Sequence, residues 1–145
     1  MMAHIMMVVA PYYRDICDEM IAGAAAVIEE DGHSWDRYDV AGAFELPVAI
    51  SIALDSPKRF DGFIVIGCII RGETSHYDHL CSEVSRALQT IAVERKLALG
   101  FGLLTCENSQ QARVRASVSG KNKGAEAAHA CIKTIVLKQA LGRPD

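Results

Sequence analysis

Residues 71–76 bring together the side-chain types that anion binding and proton transfer require. They comprise an arginine, a glycine, a glutamate, two hydroxyl residues and the imidazole of His76. They follow a short, uncharged, β-branched run at 63–70, which is typical of a strand buried on both faces. Apolar residues then recur at helical spacing from Leu80 onward, so a helix is predicted to begin at this turn. The free N–H groups of a helix start can bind an anion, and an imidazole can donate or accept a proton near neutral pH.

The same turn also fits a purely structural role. Thr74 or Ser75 could cap the helix. A lone histidine is most often solvated or satisfied by ordinary hydrogen bonds. On these residues alone, an anion site and a capped helix with a surface histidine are about equally supported.

Strand-like and helix-like segments alternate along the whole chain, which is typical of a parallel sheet covered on both faces. The apolar runs predict strands at 5–10, 35–40, 63–70 and 97–105. Amphipathic segments predict helices over about 16–31, 47–55, 76–96, 109–116 and 125–141, with Pro47 in a first turn and Asn108 as a cap. We therefore predict a single domain over residues 1–145, of the α/β class. Its architecture would be three-layer α/β/α with a central four-stranded parallel sheet, flavodoxin-like.

Such a sheet would gather the polar loops at one edge, because right-handed crossovers place all strand-to-helix loops on the same side. Four polar clusters would meet there: residues 12–13, 42–45, 71–76 and 105–108. Ligands bind outside the carboxyl ends of strands in such sheets. The predicted topology thus favours a binding site at this edge.

The composition argues against several classes of partner. The chain has 145 residues, of which 50% are hydrophobic and 23% charged, and its net charge is −3. This charge, with 6% aromatic residues, gives no footprint for nucleic acid or an anionic membrane. No apolar stretch approaches the roughly 20 residues of a transmembrane helix, and the first residues lack the pattern of a signal peptide. We expect neither a nucleic-acid nor a membrane partner.

The cysteines are expected to be reduced and mostly buried. Their number is odd, and no pair of them has the spacing of a metal site; they are Cys17, Cys68, Cys81, Cys106 and Cys131. Reduced cysteines predict a cytoplasmic protein without a metal site. Cys68 and Cys106 could act as nucleophiles near strand ends, but no activating base is adjacent to them in the sequence.

Four motifs occur at the predicted loops in a fixed order. They read GAFELP at 42–47, GCIIRGETSHYD at 67–78, LLTCEN at 103–108 and NKG at 122–124. In this combination and spacing they resemble the motifs of the lumazine synthase family, the 6,7-dimethyl-8-ribityllumazine synthases of riboflavin biosynthesis. The resemblance extends from about residue 8 to about residue 135, nearly the whole chain.

The resemblance implies a transferase of the EC 2.5.1 type. This family condenses 5-amino-6-(D-ribitylamino)uracil with 3,4-dihydroxy-2-butanone 4-phosphate and releases phosphate and water. It uses no metal and no organic cofactor. Because the steps are imine formation, phosphate elimination and ring closure, such a site needs aligned substrates, an anion cradle and a proton shuttle.

The resemblance also assigns roles to individual residues. It makes His76 the proton-transfer residue. It assigns phosphate binding to Gly72, Glu73, Thr74 and Arg115. It assigns binding of the remaining substrate groups to Tyr12, Ala43, Phe44, Glu45, Ile69, Ile70, Phe101, Lys123 and Glu126, with Phe101 supplied by a neighbouring subunit.

Two departures from the family pattern concern the first two loops. The family more often has a basic residue before the aromatic of the first loop, where this chain has Pro11 before Tyr12. Tyr12 is therefore the expected stacking residue, with Tyr13 as the alternative. Ala41 replaces a common proline before Gly42. Neither departure removes a reacting group.

Each assigned side chain also has a structural interpretation. An arginine such as Arg115 is usually solvated, and Arg71 could pair with a carboxylate at a subunit contact. Phe44 could belong to the core, and Glu45 could compensate a helix dipole. Lys123 and Glu126 have the spacing of an ordinary helical ion pair.

The resemblance further implies a homopentamer with sites between adjacent subunits, and a decamer or an icosahedral shell is the larger alternative. The mean hydropathy of +0.15 agrees with burial of apolar surface beyond a monomer core. The competing hypothesis is a non-catalytic protein of the same fold that binds a flavin or lumazine. His76 and Arg115 discriminate the two, because a binding protein needs no proton shuttle.

Overall fold

The computed structural model describes residues 1–142 and contains a parallel four-stranded sheet of order β2-β1-β3-β4 between two layers of helices. The strands are β1 (His4–Val9), β2 (Ser34–Asp39), β3 (Gly62–Ile70) and β4 (Leu99–Cys106). The helices are α1 (Arg14–Glu30), α2 (Leu46–Asp55), α3 (His76–Arg95), α4 (Ser109–Ala116) and α5 (Lys123–Leu141). The predicted three-layer α/β fold is confirmed. None of the helices in the described part is long and apolar enough to cross a membrane.

β3 is the central element, and it is buried on both faces because helices cover the sheet on each side. Ile64 and Ile66 pack towards α1, α4 and α5 in one core cluster. Phe63 and Val65 pack towards α2 and α3 in the other. The continuous apolar run at 63–70 therefore reflects a strand with no solvent-facing side.

Two glycines of β4 permit close packing, Gly100 against α5 and Gly102 against β3, as their positions in the sequence suggest. A β-carbon on Gly100 would collide with the backbone carbonyl of Ala127 in α5. One on Gly102 would come within 2.6 Å of the carbonyl oxygen of Val65 and 2.9 Å of the Ile66 side chain. The close approach brings the first turns of α5 beside β4.

Several element boundaries differ from the sequence prediction by one or two residues, and one turn was not predicted. β4 begins at Leu99 because Lys96 takes a left-handed conformation (φ 54°) that ends α3, and the Leu97 N–H still bonds the Ala92 carbonyl at 2.9 Å. α5 begins at Lys123 because the left-handed Asn122 (φ 48°) precedes it. Residues Ala43–Glu45, predicted as loop, form a short 3₁₀ turn. The predicted Asn108 cap is confirmed, since its Oδ1 accepts from the Gln111 N–H at 2.9 Å.

Candidate active site

The first cavity lies at the carboxyl ends of β1 and β3 and has a volume of about 320 Å³. Its lining residues come from four separate loops and elements that the topology gathers at this edge. They are Tyr12, Tyr13, Gly42, Ala43, Cys68, Ile69, Ile70, His76 and Leu80. Five predicted site residues, Tyr12, Ala43, Ile69, Ile70 and His76, therefore lie around one space.

The two tyrosines of the first loop have different environments. Tyr12 is 72% exposed, whereas Tyr13 is half-buried against the core cluster of α1. Their rings meet edge-on, with centroids 4.9 Å apart and planes at 74°. Burial raises the pKa of the Tyr13 phenol above its usual value, with smaller contributions from Tyr12 and Cys68. Tyr12 is the tyrosine with surface available for a stacking partner, as the sequence favoured.

The Ala43–Glu45 turn presents an aromatic side chain to solvent. Phe44 is 66% exposed, so its interpretation as a core residue is wrong. The Glu45 N–H bonds the Gly42 carbonyl at 3.1 Å, and Glu45 directly precedes α2 without bonding its first turn through its side chain. Its carboxylate thus lies at a helix N-terminus. There it can compensate the helix dipole and also contact a ligand.

His76 is the first residue of α3, and its side chain is exposed. Its N–H donates to Thr74 Oγ1 at 3.3 Å, while Ser75 occupies the N-cap position without a side-chain capping bond. Thr74 is thus the hydroxyl residue that bonds the helix start. A β-carbon on Gly72 would meet no heavy atom within 4 Å, so the space beside residues 72–74 is open for a ligand.

Arg71 is exposed, but its guanidinium is paired with carboxylates. Its Nε donates to Glu107 Oε2 at 2.6 Å, and its two terminal nitrogens donate to the Asp78 carboxylate at 3.0 and 3.2 Å. Its guanidinium carbon lies 4.4 Å from the centroid of the Tyr77 ring. The interpretation of Arg71 as a carboxylate-paired residue is confirmed, but both partners belong to its own chain.

The second cavity lies beside the edge strand β4 and has a volume of about 440 Å³. Its lining combines β4 with α4 and α5 and includes four more predicted site residues: Phe101, Arg115, Lys123 and Glu126. Phe101 is 47% exposed on the open edge of the sheet. Thr105 also lines this cavity; the sequence analysis placed it in a polar cluster but gave it no role.

The cations of the second cavity differ in their partners. Lys123 Nζ lies 3.0 Å from Glu126 Oε2, so the predicted helical ion pair is present. Arg115 donates to the Gln111 carbonyl at 3.2 Å, and within residues 1–142 no carboxylate pairs with it. Arg113 on the same helix is instead paired with Asp15. Arg115 is therefore available to an anionic ligand, unlike Arg113.

The environments of the cysteines argue against a catalytic role. All five are free thiols, and all except Cys81 are buried. Burial raises the pKa of Cys68 to about 12 and also raises that of Cys106, where the nearby Arg115 opposes the effect. A thiol must ionise to act as a nucleophile, so these two are poorly suited to that role. Among residues 1–142 no cluster of histidine, cysteine and acidic side chains could hold a metal ion.

The comparisons with known proteins agree with the motifs at these cavities. The family model described as 6,7-dimethyl-8-ribityllumazine synthase matches residues 2–139. The chain belongs to this lumazine synthase family. A 6,7-dimethyl-8-ribityllumazine synthase of Bartonella bacilliformis is 43% identical over 140 residues, covering 96% of this chain and 92% of the relative.

Two further relatives have similar coverage. The 6,7-dimethyl-8-ribityllumazine synthase of Agrobacterium fabrum is 43% identical over 143 residues, covering 96% of this chain and 97% of the relative. The 6,7-dimethyl-8-ribityllumazine synthase 1 of Rhizobium meliloti is 44% identical over 143 residues, covering 96% of this chain and 94% of the relative. The match thus spans both cavities and all four motifs.

A single chain divides the predicted lumazine synthase site into two parts. The lining of the first cavity and that of the second have no residue in common. One chain therefore does not place His76 and Arg115 in the same cavity. The phosphate-binding prediction is divided as well, because Gly72, Glu73 and Thr74 adjoin His76 while Arg115 lies beside β4.

Proposed function

We propose that this chain catalyses the condensation of 5-amino-6-(D-ribitylamino)uracil with 3,4-dihydroxy-2-butanone 4-phosphate. The products are 6,7-dimethyl-8-ribityllumazine, inorganic phosphate and water, so the chain acts in the penultimate step of riboflavin formation. The observation that carries the proposal is the family match over residues 2–139, together with a cavity that joins an exposed aromatic ring to His76. Neither the described residues nor the relatives favour the non-catalytic alternative.

In the proposed site the first cavity holds the ring of the ribitylaminouracil. The exposed face of Tyr12 stacks on the pyrimidine, since offset stacking of flat rings is favourable. Ile69 and Ile70 bound the ring on the strand side. Ala43, Phe44 and Glu45 bind the ring edge and the ribityl chain, for which the 3₁₀ turn offers an aromatic face and a carboxylate.

The phosphate of the second substrate binds at the start of α3. Backbone N–H groups of residues 72–74 and the helix dipole favour a dianion there. Arg115 completes the cradle, because a guanidinium grips a phosphate through two parallel hydrogen bonds. His76 lies next to this position and transfers protons during imine formation and phosphate elimination.

We propose that each complete site forms between two copies of the chain. One copy supplies the first cavity with His76, and its neighbour supplies the second cavity with Phe101, Arg115, Lys123 and Glu126. The division of these residues over two cavities of one chain supports this arrangement. An interface that joins two different surfaces is heterologous, and such contacts form a ring when the rotation closes.

The apolar surface of the chain is compatible with such a ring. Val48 and Ile52 on α2 are more than half exposed, as are Val93 on α3 and Val136 on α5. Exposed apolar side chains on several elements are expected where subunits pack. We propose a homopentamer, for which a measured particle mass is the test; a decamer or an icosahedral shell would appear as a multiple of the pentamer mass.

We also propose that the chain acts as one lumazine-synthase-like domain over residues 1–145, and that it acts in the cytoplasm. The family match over residues 2–139 supports the single domain. The five free cysteines support a reducing compartment.

The direct test is to mix both substrates with the protein and follow the absorbance of the lumazine, with phosphate release measured in parallel. We expect both products to form together and faster than in a control without protein. Binding of the lumazine with no acceleration over that control would overturn the proposed reaction. It would favour the binding protein instead.

A further inference from the structure

Arg71 links the end of β4 to the first turn of α3. The exposed segment 72–75 lies between Arg71 and that helix. The backbone N–H of Arg71 donates to the Cys106 carbonyl at 2.9 Å, and its Nε donates to Glu107 Oε2 at 2.6 Å, so residue 71 is fixed to the end of β4. Its other two guanidinium nitrogens hold Asp78 in the first turn of α3. The side chain also covers the ring of Tyr77. The same guanidinium thus fixes both ends of the segment.

The segment between these ends has little support of its own. Residues 72–75 are exposed, and Gly72 has no neighbour within 4 Å of a β-carbon position. Their one side-chain hydrogen bond in the described chain joins Thr74 Oγ1 to the His76 N–H. The backbone path of the segment therefore depends on where Arg71 and Asp78 are held.

The carboxylates of Asp78 and Glu107 both form ion pairs with Arg71. The hydrogen bonds that Arg71 donates to Asp78 and Glu107 raise the pKa of its guanidinium above its usual value. An arginine guanidinium is charged at any ordinary pH, so both contacts are ionic. A planar guanidinium with two carboxylate partners also has a defined orientation, which a lysine ammonium would lack.

We propose that Arg71 is a positioning residue for the phosphorylated substrate. With Asp78 and Glu107 it forms a clamp, the Arg71 clamp, that holds the N–H groups of residues 72–74 and His76 in their working orientation. The inference rests on the proposed function, because it refines how that site binds its phosphate. It assigns the clamp residues no contact with the substrate.

The competing role for Arg71 is direct binding of the phosphate. Three of its N–H groups already donate to carboxylates of the same chain. The two adjacent negative charges would repel a dianion placed beside them. The two roles also make opposite predictions for neutralising Glu107 or Asp78. A freed direct ligand would bind phosphate more tightly, whereas a weakened clamp would bind it less well.

The test compares Arg71→Met, Arg71→Lys, Glu107→Gln and Asp78→Asn with the unaltered protein in steady-state kinetics. For Arg71→Met we expect kcat/KM for the butanone phosphate to fall about 10- to 100-fold, as misplacement of a binding group does. The KM for the ribitylaminouracil should change less, because Tyr12, Ala43 and Ile69, which line the first cavity, lie outside the clamp. Glu107→Gln and Asp78→Asn should act in the same direction, and Arg71→Lys should restore part of the loss.

A double variant separates coupled from independent effects. Arg71→Met combined with Glu107→Gln should be no worse than Arg71→Met alone, because both remove the same clamp. Lower KM values for the butanone phosphate in Glu107→Gln or Asp78→Asn would overturn the proposal in favour of direct binding. Fully additive losses in the double variant would overturn it as well.

Arg37→Met is the matched control. Arg37 is also a carboxylate-paired arginine, bonded to Asp39 at 2.7 and 3.3 Å, but it lies on the edge strand β2. We expect unaltered kinetics for this variant. Thermal midpoints and particle masses of all variants identify any loss of folding. If Arg71→Met fails to fold, Arg71→Lys and Glu107→Gln carry the comparison.

A separate readout distinguishes failure of the clamp from failure of the proposed reaction. Turnover by the unaltered protein tests the reaction. If there is none, inorganic phosphate serves as the probe. It should raise the thermal midpoint of the unaltered protein and of Arg37→Met, and raise it less for Arg71→Met and Glu107→Gln. Equal shifts in all four would overturn the clamp whatever the reaction.

Discussion

His76 and Arg115 line two cavities of the same chain that share no lining residue. The first adjoins the start of α3, and the second lies beside the edge strand β4. If both residues serve one reaction, each histidine must work with an arginine of another copy. In the proposed arrangement a second copy of the chain completes the site, and mixed assemblies can test this.

Mixed assemblies test the shared site directly. We expect a Tyr12→Ala/His76→Ala chain and an Arg115→Ala chain to be weakly active when each is expressed alone. Co-expressed in equal amounts, they should regain activity, since about a quarter of the heterologous interfaces would join two unaltered half-sites. The measurement is lumazine formation per milligram of protein.

The control for mixing combines the two variants after separate expression, without dissociation. This mixture should show only the sum of the separate activities. The same low sum after co-expression, with mixed assemblies verified by two affinity tags, would contradict a site shared between chains.

His76→Ala should lower kcat by about 10- to 100-fold, less than the roughly 100- to 10,000-fold typical of general acid–base groups. The effect should be moderate because alignment of the two substrates supplies much of the acceleration. The KM values should change little, since His76 is exposed and no side-chain bond of its ring to the described chain would be lost. An unchanged kcat would remove His76 from the proton transfer.

Arg115→Ala should mainly weaken binding of the phosphorylated substrate. Loss of a charged hydrogen bond costs about 1.5–3 kcal/mol, which corresponds to a KM about 10- to 150-fold higher. Arg113→Ala on the same helix is the matched control, because its guanidinium pairs with Asp15. Steady-state kinetics with each substrate varied in turn checks this. Equal losses for Arg113→Ala and Arg115→Ala would indicate a general effect of charge or helix stability.

The two adjacent tyrosines should respond differently to truncation. Tyr12→Ala should raise the KM for the ribitylaminouracil about 5- to 100-fold, as expected for lost base–aromatic stacking, with little change in stability because the ring is 72% exposed. Tyr13→Ala should lower the free energy of unfolding by about 2 kcal/mol, because its ring packs on the core. Kinetics and denaturant unfolding separate the two effects; the reverse pattern would make Tyr13 the stacking residue.

Two glycines give a matched pair for stability. Gly100→Ala should destabilise the fold by about 1–3 kcal/mol, because the new methyl group would collide with the Ala127 carbonyl. Gly72→Ala should leave the free energy of unfolding within about 0.5 kcal/mol, since nothing lies within 4 Å of the new atom. It should still raise the KM for the butanone phosphate, because the methyl group would occupy space reserved for the ligand. An unaltered KM would move the phosphate away from Gly72.

Local patterns along the chain were enough to predict the helices and strands and their order. The unbroken apolar run at 63–70 is typical of a strand with both faces covered, and β3 is such a strand. The start of a helix at His76 and the Asn108 cap were also predictable, because periodicity and capping act between residues a few positions apart. The motifs likewise indicated the family, because they can be recognised without any tertiary contact.

Only the tertiary structure decided which side chains share a space. The division of His76 and Arg115 between two cavities depends on how α3, α4 and α5 pack around β4, and no local pattern encodes that. The hydrogen bond between Arg71 and Glu107 joins positions 36 residues apart. The exposure of Phe44 likewise depends on whether other parts of the chain pack over its side chain. Local patterns fix backbone conformation through near neighbours, whereas contacts between distant residues are set by the packing of the whole chain.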